Sequence, residues 1–359
     1  MVKIAFLAPY SKKHFYAIRG VPDLSVHGKD VWFFKYMPDR SIEVDIIGCL
    51  ASLSYRKRIP LVMWQIISFL PFVRRYDVVI SSGFFNGILF SVVRKLLRFR
   101  KPAHIILDTR AIGVLKPERR LLIGIARYLL SPVDGVVCFA RNHQELWEET
   151  LGFSGKVVFT PWPMMEDVEQ VFPLTGDYVF SGGSTRRDWP TLISAVENTA
   201  ARVTIVAGKD TALGKYGLEE VDVPPNVKVL RDIPRLSYVE LLAKSRFVVI
   251  PLQEVPYDVG WDTLCQAMTL GKAVVATRIP PLVDYIIDGE TGIFVDPGDV
   301  DDLRDKILFL LAHPEEVQRI GANAKRVMEE TKSGRKVAGE GVWSMLQRVW
   351  LNRKPRRCR

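Results

Sequence analysis

Short apolar segments rich in β-branched residues alternate along the chain with longer segments of helical periodicity, and this alternation restarts once near the middle. The strands predicted in the first half are Lys3–Ala8, Glu43–Gly48, Asp77–Ser81, His104–Leu107, Gly135–Phe139 and Lys156–Phe159. Those predicted in the second half are Tyr178–Ser181, Arg202–Ala207, Val227–Leu230, Phe247–Ile250, Ala273–Ala276 and Gly292–Val295. Buried strands that alternate with helices form parallel sheets covered on both faces. The pattern therefore predicts an α/β protein with two Rossmann-like, doubly wound domains.

The length of the chain agrees with two domains, because its 359 residues exceed the roughly 100–200 that one domain usually holds. The segment Pro161–Gly176 contains three prolines and no clear periodicity, which predicts a linker. We expect a first domain over residues 1–165, a second over 166–335, and a final helix with a basic tail over 336–359. Ligands of doubly wound sheets bind at the carboxyl ends of the strands, so the cleft between the domains is the expected site.

The positive charge of the chain is concentrated in its first half. The net charge is +10, and residues 1–165 hold 24 Lys and Arg against 12 Asp and Glu. Such an excess is typical of proteins that bind nucleic acid, an anionic membrane or an anionic substrate. Nucleic acid is the least favoured of the three, because no nucleic-acid-binding motif accompanies the basic residues.

The cysteines and the hydropathy of the chain limit the cellular compartments in which the protein is expected. The four cysteines form no C-x-x-C pair and the five histidines lack the spacing of metal ligands, so no metal or other cofactor is expected. Without a disulfide framework, a reducing, cytoplasmic setting is favoured. No segment reaches the ~18–20 uninterrupted apolar residues of a spanning helix, so attachment to the inner membrane face would be peripheral.

Several familiar motifs are absent from the sequence. The first strand is not followed by G-x-G-x-x-G, and no G-x-x-x-x-G-K-[ST], G-x-S-x-G or H-E-x-x-H occurs. The absence argues against a dinucleotide-dependent dehydrogenase, a P-loop NTPase, an α/β-hydrolase and a zinc metalloprotease.

A Gly-rich, basic loop follows the first strand of the second half and precedes a predicted helix over about 190–198. It contains Gly182, Gly183, Ser184, Arg186 and Arg187. Adjacent glycines let backbone N–H groups approach a ligand, and a helix N-terminus and two arginines attract negative charge. The loop is therefore a candidate cradle for a phosphate or diphosphate. A plain glycine turn with solvated arginines is the alternative reading.

A second candidate loop follows the predicted strand Phe247–Ile250 and enters a helix that should start near Asp262. Its polar and flexible residues are Asp258, Gly260, Trp261, Thr263 and Gln266. Asp258 belongs to the loop and Gln266 lies about one turn into the helix. Both side chains are therefore expected to face the cleft.

From about Val179 to Glu330 the chain resembles the donor-binding domain of the GT-B glycosyltransferases, especially the retaining family-4 group (glycosyl transferases group 1). The family pattern L-E-A-M-A-C-G-x-P-V-V-A-T is matched by Gln266–Thr277, its D-G-x-T-G by Asp288–Gly292, and its P-x-D helix start by Asp296–Asp299. The first half resembles the family only in its strand–helix plan. The resemblance implies the GT-B architecture, with a C-terminal helix that crosses back to the first domain.

The resemblance also implies roles for individual residues. Asp258 and Gln266 stand where the family has two glutamates, the first beside the donor sugar and the second at the ribose hydroxyls. Asp258 is therefore a catalytic candidate, and Gln266 keeps hydrogen-bonding capacity without the charge. Arg187 takes the place of the family's phosphate-binding lysine. Gly182, Gly183, Ser184, Arg186, Gly260, Trp261 and Thr263 complete the expected donor-binding set.

Candidates for the acceptor side lie in the first half. Asp108 and Arg110 follow a buried strand and should point at the cleft, Asp108 as a second catalytic candidate and Arg110 as an acceptor-binding one. His27 follows a loop rich in turn formers and could also reach the acceptor. A helix cap or turn residue for Asp108, and an exposed loop histidine for His27, are the alternatives.

Three functions remain open at this point. The leading one is transfer of a sugar from a nucleotide-diphosphate-sugar to a glycan or lipid-linked acceptor, with retention of configuration and without a metal. A nucleotide-sugar epimerase on the same fold and a basic nucleic-acid-binding protein are the alternatives. The basic and apolar segments Ile59–Val73 and Arg94–Lys101 further suggest contact with an anionic membrane; the alternative is that they only cover the sheet.

Overall fold

The computed structural model describes residues 1–8, 11–17, 25–39, 41–49, 58–108, 119–162, 168, 171–208, 217–219, 221–255, 259–330 and 335–351. The chain divides into two compact units. Unit 1 comprises Met1–Pro163 together with Arg335–Arg359, and unit 2 comprises Met164–Gly334.

Unit 1 is built on a six-stranded parallel sheet with the strand order β2-β1-β3-β4-β5-β6. Its strands are β1 (Val2–Leu7), β2 (Ile42–Ile47), β3 (Val78–Ser82), β4 (Ala103–Asp108), β5 (Gly135–Cys138) and β6 (Val157–Phe159). Its first helices are α1 (Lys12–Ala17), α2 (Arg58–Phe69), α3 (Phe84–Leu96), α4 (Arg120–Leu130) and α5 (Arg141–Glu145). Short 3₁₀ segments at Gly28–Asp30, Trp32–Tyr36 and Leu70–Arg75 and a π-helical turn at Leu146–Thr150 join them.

Unit 2 repeats the plan with a second six-stranded parallel sheet, in the order β12-β11-β10-β7-β8-β9. Its strands are β7 (Val179–Gly183), β8 (Val203–Ala207), β9 (Val227–Arg231), β10 (Phe247–Ile250), β11 (Val274–Thr277) and β12 (Ile293–Val295). Its helices are α6 (Trp189–Val196), α7 (Arg235–Ala243), α8 (Trp261–Thr269), α9 (Val300–Ala312) and α10 (Pro314–Glu330). The chain leaves β7 towards β8 and later returns to β10 on its other side, so the ends of β7 and β10 form the switch point of this sheet.

The strands agree with the sequence prediction in number, order and position. All twelve segments form strands, and the two doubly wound α/β sheets are confirmed. The helix α7 lies between β9 and β10, where the alternation of strands and helices predicts a helix, and α2 was predicted only as a buried or interfacial segment. Pro60 lies in the first turn of α2, where a missing N–H costs nothing because that group has no intrahelical partner.

The last helix, α11 (Arg335–Leu351), belongs to unit 1. Thr160 Oγ1 donates a hydrogen bond to the carbonyl of Val337 at 3.1 Å. The thioether of Met345 occupies the space that a Cβ on Gly135 would fill, so β5 and α11 are closely packed at this glycine. The chain therefore returns from unit 2 to unit 1, as the resemblance implied. Among the helices described, none has the length and apolar character needed to cross a membrane.

Candidate functional site

Arg187 is the centre of a polar cluster at the carboxyl end of β7. Its guanidinium is buried, and Nε donates to the carbonyl of Gly182 at 2.8 Å. Nη1 donates to the carbonyl of Thr185 at 3.2 Å, and Nη2 to Oγ1 of Thr263 at 3.2 Å. Within the described part of the chain, the hydrogen bonds of this cation thus go to neutral oxygens.

The charge of Arg187 is poorly compensated inside unit 2. Burial lowers the pKa of its guanidinium, and Tyr238 and Asp262 oppose that shift. Among the described residues no carboxylate lies within ion-pair distance of it. Buried charges in proteins are normally paired, because desolvation of a lone ion is costly. The guanidinium is therefore a ready partner for an anionic ligand.

The two glycines at the end of β7 are required by this packing. Gly183 has φ 132°, a conformation that L side chains rarely adopt, and a Cβ there would collide with the guanidinium of Arg187. A Cβ on Gly182 would lie 2.5 Å from the ring of Tyr238. Both positions hold glycine because side chains from neighbouring elements press against the backbone.

Tyr238, on α7, is a member of the cluster that the sequence did not single out. Its hydroxyl lies 2.8 Å from Oγ1 of Thr263, so α7 and α8 are joined beneath the loop. Burial is the main cause that raises the pKa of this phenol, and the Arg187 charge acts against it. No motif marks Tyr238, because its relevance depends on the sheet order that brings α7 beside β7.

Gln266 is the second unusual side chain of the site. It lies on α8 one turn beyond Thr263, and residues three apart share a helix face. The side chain is only 1% exposed, yet neither Oε1 nor Nε2 has a hydrogen-bond partner among the described residues. An unpaired buried amide costs about 1–3 kcal/mol, so this group fits a ligand that supplies both a donor and an acceptor.

The start of α8 differs from the start of α6. Asp188 caps α6 by accepting from the Thr191 N–H at 3.3 Å and from its hydroxyl at 2.7 Å. Gly260, with φ 87°, precedes α8, and no described side chain caps that helix. The positive dipole end of α8 is therefore the better anion site of the two. The helix begins at Trp261, one residue before the predicted start.

Other predicted donor-binding residues lie on the same loops. The indole of Trp261 donates to the carbonyl of Pro281 at 3.2 Å, which anchors the start of α8. Ser184 is half-buried, and Nη1 of Arg186 lies 3.5 Å from Oε1 of Gln253. The structure thus brings Gly182, Gly183, Arg187, Thr263 and Gln266 together. Asp258 lies outside the described residues.

The predicted acceptor-side residues belong to unit 1. Asp108 is fully buried and its Oδ2 accepts a 2.7 Å hydrogen bond from Nε1 of Trp147, with Nδ1 of His143 3.7 Å away. These contacts direct the carboxylate into the core and give it a packing role; its predicted part in the chemistry stays a prediction. His27 is exposed beside the 3₁₀ segment Gly28–Asp30, and Arg110 lies outside the described residues.

Comparison with known proteins agrees with this arrangement. Residues 187–327 match the family model described as glycosyl transferases group 1. A glycosyltransferase of uncharacterized specificity from Methanocaldococcus jannaschii is 23% identical over 206 residues, which cover 55% of this chain and 56% of the relative. Trehalose synthase of Pyrococcus horikoshii is 32% identical over 108 residues, 30% of this chain and 26% of the relative. The chain therefore aligns with about half of the first relative and about a quarter of the second.

Solved structures share the fold over almost the whole chain. Sucrose-phosphate synthase from Thermosynechococcus elongatus has a TM-score of 0.67 at 14% identity, with 99% of each chain covered. HepE from Anabaena, solved in complex with UDP and glucose, has a TM-score of 0.64 at 16% identity, with 97% of this chain and 100% of that one covered. The two units therefore form a protein of the GT-B fold. The match to the glycosyl transferases group 1 model covers residues 187–327, within the segment in which the motifs indicated the resemblance.

Proposed function

We propose that the protein is a glycosyltransferase that moves a hexosyl group from a nucleoside-diphosphate sugar to a hydroxyl of a glycan or lipid-linked acceptor. The observation that carries the proposal is a pair of buried groups near Thr263: the Arg187 guanidinium, whose described hydrogen bonds all go to neutral oxygens, and the Gln266 amide, which has no hydrogen-bond partner among the described residues. A donor with an anionic diphosphate and a ribose diol supplies what each group lacks.

The placement of the donor follows from the two groups. In this proposal the diphosphate lies between Arg187 and the start of α8, where the fixed positive charge and the positive end of the helix dipole converge. The ribose lies one helical turn further, where the Gln266 oxygen accepts from one hydroxyl and its NH₂ donates to the other. The neighbour HepE was solved with UDP and with UDP-glucose, so a UDP-hexose is the donor class that we propose first.

The proposed chemistry is the retaining transfer that the family resemblance implies. The bond from the anomeric carbon to the diphosphate oxygen breaks, the acceptor oxygen bonds to that carbon on the same face, and the acceptor proton leaves with the diphosphate. Negative charge grows on the leaving diphosphate, and Arg187 and the start of α8 stabilise it through preorganised donors. In this proposal these groups take the part of a metal ion. The resemblance implies a role at the donor sugar for Asp258, which lies outside the described residues.

Calorimetry with UDP and with 2′,3′-dideoxy-UDP tests the proposal. Gln266→Ala should weaken UDP binding about tenfold, the value of one to two neutral hydrogen bonds, and should leave dideoxy-UDP binding unchanged. Gln144→Ala, which removes the same side chain from unit 1, is the matched control and should change neither affinity. If Gln266→Ala loses the same affinity for both nucleotides, Gln266 does not bind the ribose hydroxyls. If the unmodified chain binds no nucleoside diphosphate at all, the proposed function is wrong.

Turnover separates transfer from isomerisation. With UDP-glucose and no acceptor, a transferase should release UDP only at a slow background rate and return the donor unchanged. Conversion of the donor into an isomeric UDP-hexose would assign the protein to the epimerases instead.

A further inference from the structure

Unit 1 carries an apolar face that no described part of the chain covers. Twenty large hydrophobic side chains are exposed among the described residues, and half of them lie on or next to α2 and α4 or at the C-terminal end of α3. We call this set the docking face; its members are Met63, Trp64, Ile67, Phe72, Leu96, Leu97, Leu121, Leu122, Ile125 and Tyr128.

The three helices lie side by side, so their exposed side chains form one surface. The rings of Phe69 on α2 and Phe90 on α3 are 6.2 Å apart in the core beneath it. Nζ of Lys95, at the end of α3, donates to Ser131 Oγ at 2.9 Å and lies over the Tyr128 ring of α4, 3.1 Å from its centroid. The layer is therefore continuous from α2 to α4.

Each outer helix is apolar on both sides, which a helix that borders water usually is not. In α2, Val62, Ile66 and Phe69 are buried against the sheet, and in α4, Ile123, Ala126 and Leu130 are buried in the same way. Their outward sides carry Trp64, 54% exposed, and Leu121, 78% exposed. The inward residues account for covering the sheet, so the outward ones need a different explanation.

The helices of the docking face carry charge of one sign. The helices α2, α3 and α4 contain no Asp or Glu, and exposed cations border them at Arg74, Arg75, Arg98, Lys101 and Arg120. Arg94, which the sequence assigned to the same surface, is buried and pairs with Asp134 at 3.0 Å. An exposed carboxylate, Asp77, follows Arg75 by two residues, so cations outnumber acids at this border.

We propose that the docking face binds the surface of an anionic lipid bilayer. Apolar and aromatic side chains favour the interface between headgroups and acyl chains, while nearby Lys and Arg are attracted to anionic lipids. A second copy of the chain is a poorer occupant, because a two-fold contact would bring two cationic borders together. The docking face lies entirely in unit 1, so the inference stands independently of the donor site.

Vesicle flotation with the full chain tests the docking face. Vesicles of phosphatidylcholine with about one third phosphatidylglycerol should carry the protein at about 50 mM salt, and pure phosphatidylcholine should carry at least tenfold less. Raising the salt to about 500 mM should release most of the protein from the anionic vesicles, because screening shortens the reach of the charges.

Two variants probe the two components of the surface. M63Q/W64Q/I67Q removes apolar side chains and R74Q/R98Q/R120Q removes charges, and each should lower the bound fraction at least fivefold. The control L236Q/V283Q/I287Q makes the same kind of change at three exposed apolar positions of unit 2 and should bind like the unmodified chain. Urea unfolding verifies that each variant is folded, and all substituted side chains are exposed.

Three results would overturn the proposal: no flotation with anionic vesicles, equal flotation with neutral and anionic vesicles, or binding that neither variant changes. A contact between two copies predicts instead that the unmodified chain sediments as a dimer, that M63Q/W64Q/I67Q sediments as a monomer, and that neither binds vesicles. This result would assign the face to a second copy of the chain.

Discussion

Nη2 of Arg187 lies 3.2 Å from Oγ1 of Thr263, so the loop after β7 and the first turn of α8 are joined by a hydrogen bond inside unit 2. The same hydroxyl lies 2.8 Å from the phenol oxygen of Tyr238 on α7. Thr263 therefore connects three elements at the point where the donor is proposed to bind, and changes to it should affect stability and binding together.

Thr263→Val should lower the free energy of unfolding of unit 2 by about 1–3 kcal/mol, because the substitution keeps the shape and leaves two buried donors without an acceptor. Urea denaturation of Thr263→Val, Tyr238→Phe and the double variant measures how far the two hydroxyls depend on each other. We expect a coupling energy of about 0.5–1.5 kcal/mol. Strict additivity would mean that the Tyr238–Thr263 contact contributes nothing.

Gly183→Ala should weaken both the fold and the binding of UDP. The new methyl group would collide with the Arg187 guanidinium, and φ of 132° would be strained for alanine, which together should cost about 2–4 kcal/mol of unfolding free energy. Gly124→Ala is the matched control, since it lies within α4 with no atom near the added methyl group. That control should stabilise the protein by about 0.5–1 kcal/mol, and a similar gain for Gly183→Ala would contradict the packing described.

The strands were predictable because each is a short β-branched segment with turn formers at its ends, and burial on both faces demands such a segment. The helix α7 was predictable as the element between β9 and β10, but its bounds were not, because the segment Arg235–Ala243 has no strongly amphipathic pattern.

The sequence predicted which residues belong to the candidate site, but it did not predict the hydrogen bonds between them. Glycines before two arginines marked the loop, and the family pattern marked Gln266. That Arg187 is buried and bonded to Thr263, some seventy positions later in the chain, depends on the sheet order. The same holds for Asp108, whose contact with Trp147 spans β4 and the segment after α5. Contacts of this length are set by topology, which no local motif encodes.

Asp108→Asn and Asp108→Ala should separate packing from chemistry. Asp108→Ala removes the acceptor of the 2.7 Å hydrogen bond from Nε1 of Trp147, so unfolding should become easier by about 1–3 kcal/mol. Asp108→Asn keeps an oxygen for that bond and should be closer to the unmodified chain, and neither variant should change UDP affinity. A fall in kcat of Asp108→Asn far beyond its loss of stability would show instead that the carboxylate takes part in the reaction.

Lys272 should make the stability of unit 2 rise in mildly alkaline solution. It lies just before β11, is almost fully buried, and its ammonium donates to the carbonyls of Leu174 and Ser245, each at 2.6 Å. Burial lowers the pKa of this lysine to about 8, against 10.5 for the ordinary group. Between these two pH values the unfolded chain keeps a proton that the folded chain has lost. The free energy of unfolding therefore increases with pH across that window.

The size of this effect is on the order of 2 kcal/mol after allowance for solvent screening. Urea unfolding midpoints are measured at steps from about pH 7.5 to pH 10. The midpoint of the unmodified chain should rise with pH relative to the midpoint of Lys272→Met, and a constant difference between the two proteins does not affect this comparison. Lys244→Met makes the same change at an exposed position, and its urea midpoint should depend on pH in the same way as that of the unmodified chain. If the midpoint of Lys272→Met also has the same pH dependence as that of the unmodified chain, the lysine keeps its proton in the folded state. The two carbonyl hydrogen bonds would then compensate fully for the burial of its charge.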